Sequence, residues 1–432
     1  MNSRSAMENP FRPGAGHPPP FFAGRVQEQQ TFARLLQQQN PVHCVFITGG
    51  NGYGKTSLLE QFRQRAEMAD WIFVSNELSE SSSLSEERLV TRIIADLSSA
   101  LEKRIVPTQT IVAKTASDKP QFPENDSNLQ TLVYGALRNS YESETGSPHD
   151  KLQKILLKLG TLAQKSGIRG IVLAYDKAQH LNAAESINGS LLSMLMSVVG
   201  STQTVAGSSP CMLVLSGLSV KPDKLNNGWQ DDGNATRFTI SLDRLTIEEA
   251  FQAISNPIRQ RNPPMNMSSD VIYHAARLSG GHPYLIQLLG KELIDQVMQH
   301  KGILKVDEFP SGDALERLES GFFGMMWKQS SLQEQELLRK IVDHQPDNAR
   351  SASKDDKSTG FSVNSCIGDG PAGALLDGLC DRGILYKTPD RRYAFTVPMS
   401  EMMIKRRLKA QDDIDSWSDH GRESNVPGVV KS

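Results

Sequence analysis

Apolar residues in this chain recur with two spacings, one typical of buried strands and the other of amphipathic helices. Runs in which nearly every residue is apolar occur at 44–47, 71–74, 168–175 and 211–215, and a short fifth strand is predicted at 237–241. Such runs predict strands buried on both faces. Apolar residues three or four positions apart predict helices at 32–36, 89–101, 152–159 and 191–199. We therefore expect an α/β fold, with helices on both faces of a parallel sheet.

The turn after the first predicted strand is rich in glycine. It contains Gly49-x-x-x-x-Gly54-Lys55-Thr56, the spacing of a P-loop. Glycine lets successive backbone N–H groups turn toward a phosphate, and the next helix directs its positive end at the same anion. Lys55 can then reach the β- and γ-phosphates of a nucleoside triphosphate, and the Thr56 hydroxyl can bind Mg²⁺. The predicted binding residues are Gly49, Gly50, Asn51, Gly52, Tyr53, Gly54, Lys55, Thr56 and Ser57.

A second acidic landmark follows the apolar run at 168–175, where the predicted strand ends at Asp176. In a P-loop protein such a carboxylate holds Mg²⁺ directly or through water. Thr56 and Asp176 are therefore the predicted metal ligands. The competing interpretation is an aspartate in an ordinary strand-end turn.

With these motifs the chain resembles the AAA+ ATPases, close to the origin-recognition-like branch and to the STAND signalling ATPases. The resemblance covers roughly residues 20–300. It implies an ATP- and Mg²⁺-binding hydrolase that forms a homo-oligomer and engages a protein partner. The segments that carry it are Gly24-Arg25, the P-loop, Tyr175–Leu181, Leu215–Leu218, Arg237-Phe238 and Gly280–Tyr284.

The chain departs from this family at Lys177, which stands where the family has its catalytic glutamate. That glutamate polarises the attacking water, whereas a lysine ammonium has no acceptor lone pair. Loss of a general base typically costs ~10²–10⁴-fold in rate. Glu77, after the second strand, is a conceivable replacement, and a solvated loop carboxylate is the competing interpretation.

The resemblance assigns further roles one residue at a time. It places Asn76 where a polar residue restrains the glutamate, and Ser216 where a "sensor 1" residue reads the γ-phosphate. Arg237 matches an arginine finger that reaches a neighbouring subunit's nucleotide. For Ser216 and Arg237, a backbone-satisfied serine and a surface arginine remain open alternatives.

Three more positions are expected to contact the nucleotide. They are Gly24 and Arg25, which precede the first helix, and Pro283, which resembles the Gly-x-Pro of STAND proteins. In those proteins the proline begins a lid helix against the adenine, an arrangement that favours a nucleotide-controlled switch.

The pattern of apolar and polar residues along the rest of the chain predicts the domain boundaries. Residues 1–20 are an extended arm, 21–245 the AAA+ nucleotide-binding domain and 246–305 a helical lid. The AAA+ domain includes a partly disordered insertion at about 107–148. Residues 306–410 are expected to form a winged-helix-like domain and 411–432 a disordered tail. Capping boxes at Ser83–Glu86, Thr246–Glu249 and Ser331–Glu334 predict helix starts.

The predicted hairpin near the C-terminus carries the basic residues Lys387, Arg391 and Arg392, which can bind DNA phosphates. The preceding helix, 369–381, is acidic and unsuited to reading bases. A solvated basic surface on a protein-docking winged helix is the alternative.

The composition argues against a protein that binds nucleic acid or membranes through its overall charge, and against one that spans a membrane. The 47 basic and 49 acidic residues nearly balance, so no global charge draws the chain to nucleic acid or membrane. No apolar run reaches the ~18 residues of a membrane span. The four cysteines lack metal-ligand spacing, and Cys44 and Cys211 are expected to be core thiols. We expect a cytoplasmic protein without membrane association.

Three functions remain open from the sequence. The leading hypothesis is an AAA+/STAND-like switch that hydrolyses ATP slowly because of Lys177. The second is a DNA-binding initiator or transposition-type ATPase that uses the winged helix. The third is a nonenzymatic scaffold with ATP as a structural ligand.

Overall fold

The computed structural model describes residues 8–14, 16–38, 43–79, 85–115, 126–181, 185–186, 189–203, 205–217, 237–261, 265, 267–299, 304–328, 330–343, 372–381, 384–387, 393–395 and 399–408. The chain divides into two compact units. The sheet unit comprises Arg25–Gly50 and Gly54–Asp243. The helical unit comprises Met1–Gly24, Asn51–Tyr53 and Arg244–Ser432. The tip of the predicted P-loop, Asn51–Tyr53, therefore belongs to the helical unit.

The main sheet of the sheet unit consists of five parallel strands. They are β1 (Cys44–Thr48), β2 (Trp71–Glu77), β3 (Gly170–Asp176), β6 (Cys211–Ser216) and β7 (Arg237–Ser241). Two short strands, β4 (Glu185–Ser186) and β5 (Gly189–Ser190), pair with each other. The order in the main sheet is β2-β3-β6-β1-β7, with every pair parallel. The predicted parallel α/β sheet is confirmed.

Strands β3 and β6 are buried almost throughout, as their continuous apolar runs predicted. Six helices accompany the main sheet: α1 (Val26–Gln37), α2 (Lys55–Met68), α3 (Glu86–Thr115), α4 (Asp126–Ser143), α5 (Pro148–Lys165) and α6 (Leu191–Thr202). Phe32 of α1 stacks on Phe62 of α2 with ring centroids 4.0 Å apart. Cys44 and Cys211 are free, buried thiols, and burial raises the pKa of Cys211 to about 12.

Helices occupy much of the segment 107–148, which the sequence analysis interpreted as a partly disordered insertion, and residues 116–125 of it lie outside the described residues. Helix α3 continues to Thr115, and α4 occupies Asp126–Ser143. Tyr134 and Leu137 pack against the core of the sheet unit, and Tyr141 is buried in it. These three residues form one apolar stripe at helical spacing. The stripe is short and lies among polar residues, which is why the sequence pattern looked weak.

The start of α3 also differs from its prediction. Ser83 lies outside the described residues, and Ser85 is the residue whose hydroxyl accepts from the Arg88 N–H at 3.3 Å. The other two capping boxes are confirmed at Thr246–Glu249 and Ser331–Glu334.

Eight α-helices and a hairpin lie in the described part of the helical unit. They are α7 (Ile247–Arg259), α8 (Ser269–Ser279), α9 (Pro283–Gln299), α10 (Gly312–Leu318), α11 (Gly324–Lys328), α12 (Leu332–Asp343), α13 (Ala372–Asp381) and a helix at 399–408. The antiparallel hairpin joins β8 (Leu385–Lys387) and β9 (Tyr393–Phe395).

The N-terminal arm is anchored where it is described. Phe11 is buried in one core with residues of α7, α8 and α9. The Asn9 amide donates to the carbonyl oxygen of Lys291 at 2.9 Å and to the Asp295 carboxylate at 2.7 Å. Residues 8–14 therefore pack as part of the helical unit.

Helices α12 and α13 share a second core with the hairpin, through Leu338, Leu376, Leu385 and Phe395. This helix–helix–hairpin order matches what the sequence indicated. Assignment as a winged helix stays a prediction, as do the other domain boundaries. None of the helices in the described part of the chain has both the length and the hydrophobicity that a membrane span requires.

Candidate nucleotide-binding site

The P-loop begins where β1 ends and closes at the start of α2. Gly54 caps α2 in the left-handed conformation, with φ 84°. A Cβ on Gly49 would lie 3.0 Å from the Leu242 side chain and 3.0 Å from its carbonyl oxygen. Leu242 is held there because its N–H donates to the Thr48 carbonyl at 2.8 Å. Both positions therefore require glycine for steric reasons.

Lys55 is folded back onto this loop. Its ammonium donates to the carbonyl oxygens of Gly49 and Gly50, each at 2.8 Å. Burial lowers the pKa of the ammonium from its ordinary value, and the negative charge of Asp176 opposes that shift. A partly desolvated cation at the first turn of α2 favours an anion beside it.

Asp176 collects three donors at the carboxyl end of β3. Its Oδ2 accepts a hydrogen bond from the Thr56 hydroxyl. Its Oδ1 accepts from the Ser216 hydroxyl at 2.9 Å and from the Lys177 N–H at 2.8 Å. The structure thus brings together both predicted metal ligands and the predicted sensor residue at one point.

Asn76 and Glu77 end β2 on opposite faces of the sheet. The Asn76 amide donates to Asp96 at 2.8 Å, and the Tyr175 hydroxyl donates to the same carboxyl group at 3.3 Å. Glu77 forms an ion pair with Lys177 instead. The structure therefore brings Asn76 to Asp96 of α3 and not to the Asp176 group, so the restraining role expected for Asn76 gains no support.

The tip of the P-loop is packed within the helical unit. His282 Nε2 lies 3.1 Å from the Asn51 carbonyl oxygen, and the Tyr284 N–H donates to the Gly52 carbonyl at 3.2 Å. The Tyr53 ring meets the His282 ring edge-on with centroids 5.1 Å apart. Pro283, the residue between these contacts, begins α9.

Gly24 and Arg25 fall in different units, Gly24 in the helical unit and Arg25 in the sheet unit. A Cβ on Gly24 would lie 2.5 Å from a carboxylate oxygen of Glu249. The Arg25 guanidinium donates to the Asp243 carbonyl and pairs with Glu28. These contacts fix the chain before α1, and the nucleotide contacts expected of both residues stay predictions.

Arg237 lies at the end of the sheet opposite the P-loop. It begins β7 and pairs in register with Cys44, the first residue of β1. The P-loop leaves β1 at the other end, about 13 Å along the strand. The arginine-finger role expected of Arg237 stays a prediction.

The structure describes one of the three basic residues predicted on the hairpin. Lys387 ends β8, whereas Arg391 and Arg392 lie outside the described residues. Their proposed contact with DNA stays a prediction.

Two polar residues were missed by the sequence analysis. His282 is 1% exposed and contacts the P-loop tip. Asp96 is 8% exposed, and burial raises the pKa of its carboxyl group. The sequence carried a signal for Asp96, because it lies three residues after Ile93, on the apolar face of α3. His282 lies inside the Gly280–Tyr284 segment that carries the family resemblance, and only a role of its own was not assigned to it.

The residues present fit a nucleoside triphosphate with Mg²⁺. The loop has glycine at the two positions where its backbone requires it, Gly49 and Gly54, a lysine lies at the loop, and a hydroxyl faces a carboxylate. The described residues contain no cluster of three or more His, Cys, Asp or Glu suited to a metal ion. Thr56 and Asp176 are the residues that would hold Mg²⁺, an ion that prefers oxygen ligands.

Comparison with known proteins agrees with this geometry. Residues 22–213 match the AAA ATPase domain family. A sequence comparison with curated proteins found no match. The Walker-type ATPase of Pyrococcus abyssi superposes with a TM-score of 0.52 at 16% identity, covering 89% of this chain and 96% of that one. The ORC2 protein of Aeropyrum pernix, solved as ADPNP–ADP complexes, gives 0.53 at 13% identity, covering 93% and 98%. Residues 22–213 of this chain match the AAA ATPase domain family, and the chain has the fold of the AAA+ P-loop ATPases.

Proposed function

We propose that this protein is an ATP-binding AAA+/STAND-like ATPase that acts as a nucleotide-controlled switch. In this proposal it oligomerises or engages a protein partner, and it hydrolyses ATP slowly. The observation that carries the proposal is the group around Asp176, where Thr56 and Ser216 meet one carboxylate and Lys177 follows it. The residues for binding are assembled, while the residue beside them lacks the chemistry of a base.

The proposed binding uses the P-loop, the start of α2 and Lys55. The P-loop amides and the N-terminus of α2 bind the phosphates. When ATP binds, the Lys55 ammonium gives up its hydrogen bonds to two loop carbonyls and donates to phosphate oxygens instead. Its hydrogen-bond acceptors then carry a full negative charge. This exchange supports ATP retention.

Thr56 and Asp176 would hold Mg²⁺, which spreads the negative charge of the phosphates when it is bound. Thr56 would contribute its hydroxyl oxygen as a ligand. Ser216 keeps its hydrogen bond to Asp176 and so orients the carboxylate.

Slow turnover is expected because Lys177 cannot accept a proton from water. Positioning and charge stabilisation persist without that base, so a residual rate should remain. An arginine from a neighbouring copy can add to this rate, and Arg237 is the candidate because it lies away from its own P-loop.

The packing of the P-loop tip supports a switch. His282 and Tyr284 contact the backbone of Asn51 and Gly52, and α9 begins between these two side chains. A nucleotide that rearranges the loop therefore acts on the start of α9 directly. A ligand shifts such an equilibrium only by its different affinity for the two states.

The experiment is a set of binding and turnover measurements on the purified chain. ATP with Mg²⁺ should raise the unfolding temperature, because a ligand at about 100 times its Kd adds roughly 2.7 kcal/mol. Lys55→Ala should abolish this rise, and the exposed Lys165→Ala is the matched control. Nucleotide content and mass in solution should change together if ATP controls assembly. An unchanged ATP effect in Lys55→Ala would overturn the proposal.

Turnover is tested at position 177. We expect weak phosphate release from the unmodified chain and a rise of about ten-fold or more in Lys177→Glu, well under the full general-base factor if assembly also limits turnover. Lys55→Ala gives the background rate. Bound ATP that remains intact for hours in both proteins would favour the nonenzymatic scaffold instead.

DNA binding is the less supported alternative because nearby cations already have partners. Lys405 pairs with Glu401 at 2.9 Å and Arg406 with Glu319 at 3.6 Å. The Arg407 guanidinium lies 5.9 Å from the Trp327 ring centroid. These contacts reduce the positive charge available to a phosphate backbone.

A further inference from the structure

We propose that Glu77 is the catalytic carboxylate of the slow hydrolysis and that Lys177 is its positioning residue. This inference rests on the proposed ATPase function and names the group that accepts the proton of the attacking water. It places the general base of the reaction at the end of β2, whereas the resembled family has its catalytic glutamate directly after β3.

The sheet register places Glu77 beside Asp176. These two residues are direct neighbours in the parallel pairing of β2 with β3. The Leu78 N–H donates to the Asp176 carbonyl at 3.0 Å, which extends the pairing past the end of β2. Because side chains alternate along a strand, both carboxylates leave the same face of the sheet.

The neighbouring carboxyl group is on the wrong side for this role. Asp96 bonds to Asn76 and Tyr175, which precede Glu77 and Asp176 by one residue and so point to the opposite face. Glu77 is therefore the carboxylate that accompanies Asp176.

The ion pair with Lys177 holds Glu77 at the correct position. Lys177 occupies the place of the family's glutamate, and its ammonium contacts the Glu77 carboxylate. The Glu77 carboxylate thus lies within one side-chain length of that place. The Glu77 side chain is 57% exposed and the Lys177 side chain 49%, so water reaches both.

The backbone at Lys177 fixes the direction of its side chain. Its φ is 57°, a left-handed conformation that is uncommon for lysine. The Asp176 carboxylate accepts from its N–H at 2.8 Å, and its carbonyl accepts from the His180 N–H at 3.1 Å. Strained positions of this kind persist where surrounding contacts determine them, often at functional sites.

The proposed step balances without another reactant. The water oxygen bonds to the γ-phosphorus as the bond from phosphorus to the β–γ bridging oxygen breaks. The bridging oxygen keeps the electron pair and leaves with ADP. A water proton passes to the Glu77 carboxylate and is released to solvent after phosphate departs.

A double-mutant cycle between positions 77 and 177 tests the assignment. Glu77→Gln should lower kcat at least ten-fold while the Kd for ATP, measured by fluorescent-nucleotide displacement, stays within two-fold. In the Lys177→Glu background, Glu77→Gln should change kcat less than two-fold, because that background carries a carboxylate at the family's position. Such non-additivity distinguishes a shared chemical role from damage to the fold.

Two control series accompany the cycle. Glu67→Gln removes another exposed carboxylate of the sheet unit, one paired with Arg63 at 2.8 Å, and should leave kcat unchanged. Lys177→Met should lower kcat without changing the Kd for ATP, and Lys177→Arg should restore it. Exposed ion pairs contribute little stability, so these variants should fold.

Several results would overturn the assignment of Glu77. Unchanged kcat in Glu77→Gln overturns the inference, and so does an equal loss in both backgrounds. ATP binding without hydrolysis above the Lys55→Ala background also overturns it, while leaving the switch intact. A chain that binds no ATP overturns the proposed function and this inference with it.

Discussion

His282 Nε2 lies 3.1 Å from the carbonyl oxygen of Asn51, although 231 positions separate the two residues in the chain. The contact fixes one peptide of the P-loop tip from a buried imidazole at the start of α9. The loop conformation therefore depends on a residue outside the P-loop motif.

We expect His282→Ala to weaken ATP binding about five- to ten-fold, because an ordered loop costs less entropy to complete than a loose one. Equilibrium titration with a fluorescent ATP analogue measures the change. His274→Ala is the matched control, since it removes a partly buried histidine of α8 in the same unit. Equal Kd values for the wild type and His282→Ala would contradict the prediction.

Gly281→Ala should destabilise the helical unit. The residue has φ 75°, and an added Cβ would lie 2.0 Å from the Leu245 carbonyl oxygen. The left-handed conformation alone costs about 1–3 kcal/mol, and relief of the clash must move backbone. Gly312→Ala, at the start of α10 where no atom lies within 4 Å, should be neutral or stabilising by up to about 1 kcal/mol. Urea unfolding of both variants checks the difference, and similar midpoints would refute it.

The ionised Asp150 carboxylate should raise the free energy of unfolding of the sheet unit at neutral pH, and this contribution should be lost in acid. Hydrogen bonds from the Ser147 hydroxyl and N–H, with a smaller contribution from His149, lower the pKa of Asp150 to about 2. A folded pKa below the unfolded value means that stability is present above the unfolded pKa and is lost as pH falls toward the folded one.

The pH dependence of unfolding between about pH 5 and 2 measures this contribution. Asp150→Asn should start less stable at neutral pH and lose less stability across that window. Ser147→Ala, which keeps the carboxylate but removes one donor, should lie between it and the wild type. Parallel curves for the wild type and Asp150→Asn would exclude the capping contribution.

If the hairpin binds DNA, it should do so with little sequence preference. Lys387, Arg391 and Arg392 can neutralise about three phosphates, so the logarithm of affinity should fall with the logarithm of salt with a slope near about −3. Fluorescence anisotropy with two unrelated duplexes, across a salt series, gives the slope and the preference. Replacing all three residues with alanine should abolish binding, with Lys165→Ala as control. A strong preference for one duplex at fixed salt is the contrary result.

Local sequence determined the elements and the binding motif of this protein. Continuous apolar runs fixed β3 and β6, because a central parallel strand is buried on both faces. The P-loop was evident because glycine, lysine and threonine at set spacing have few other uses between a strand and a helix. Asp176 followed from its place at the end of a buried strand.

Tertiary structure decided what those residues contact. The register of β2 against β3 placed Glu77 with Asp176 and Asn76 with Tyr175, and a shift of one residue would have exchanged their faces. Packing turned a weak apolar stripe at Tyr134, Leu137 and Tyr141 into a helix, because burial stabilises a helix that its own sequence favours only weakly. These outcomes depend on contacts between residues far apart in the chain, which a local pattern does not encode.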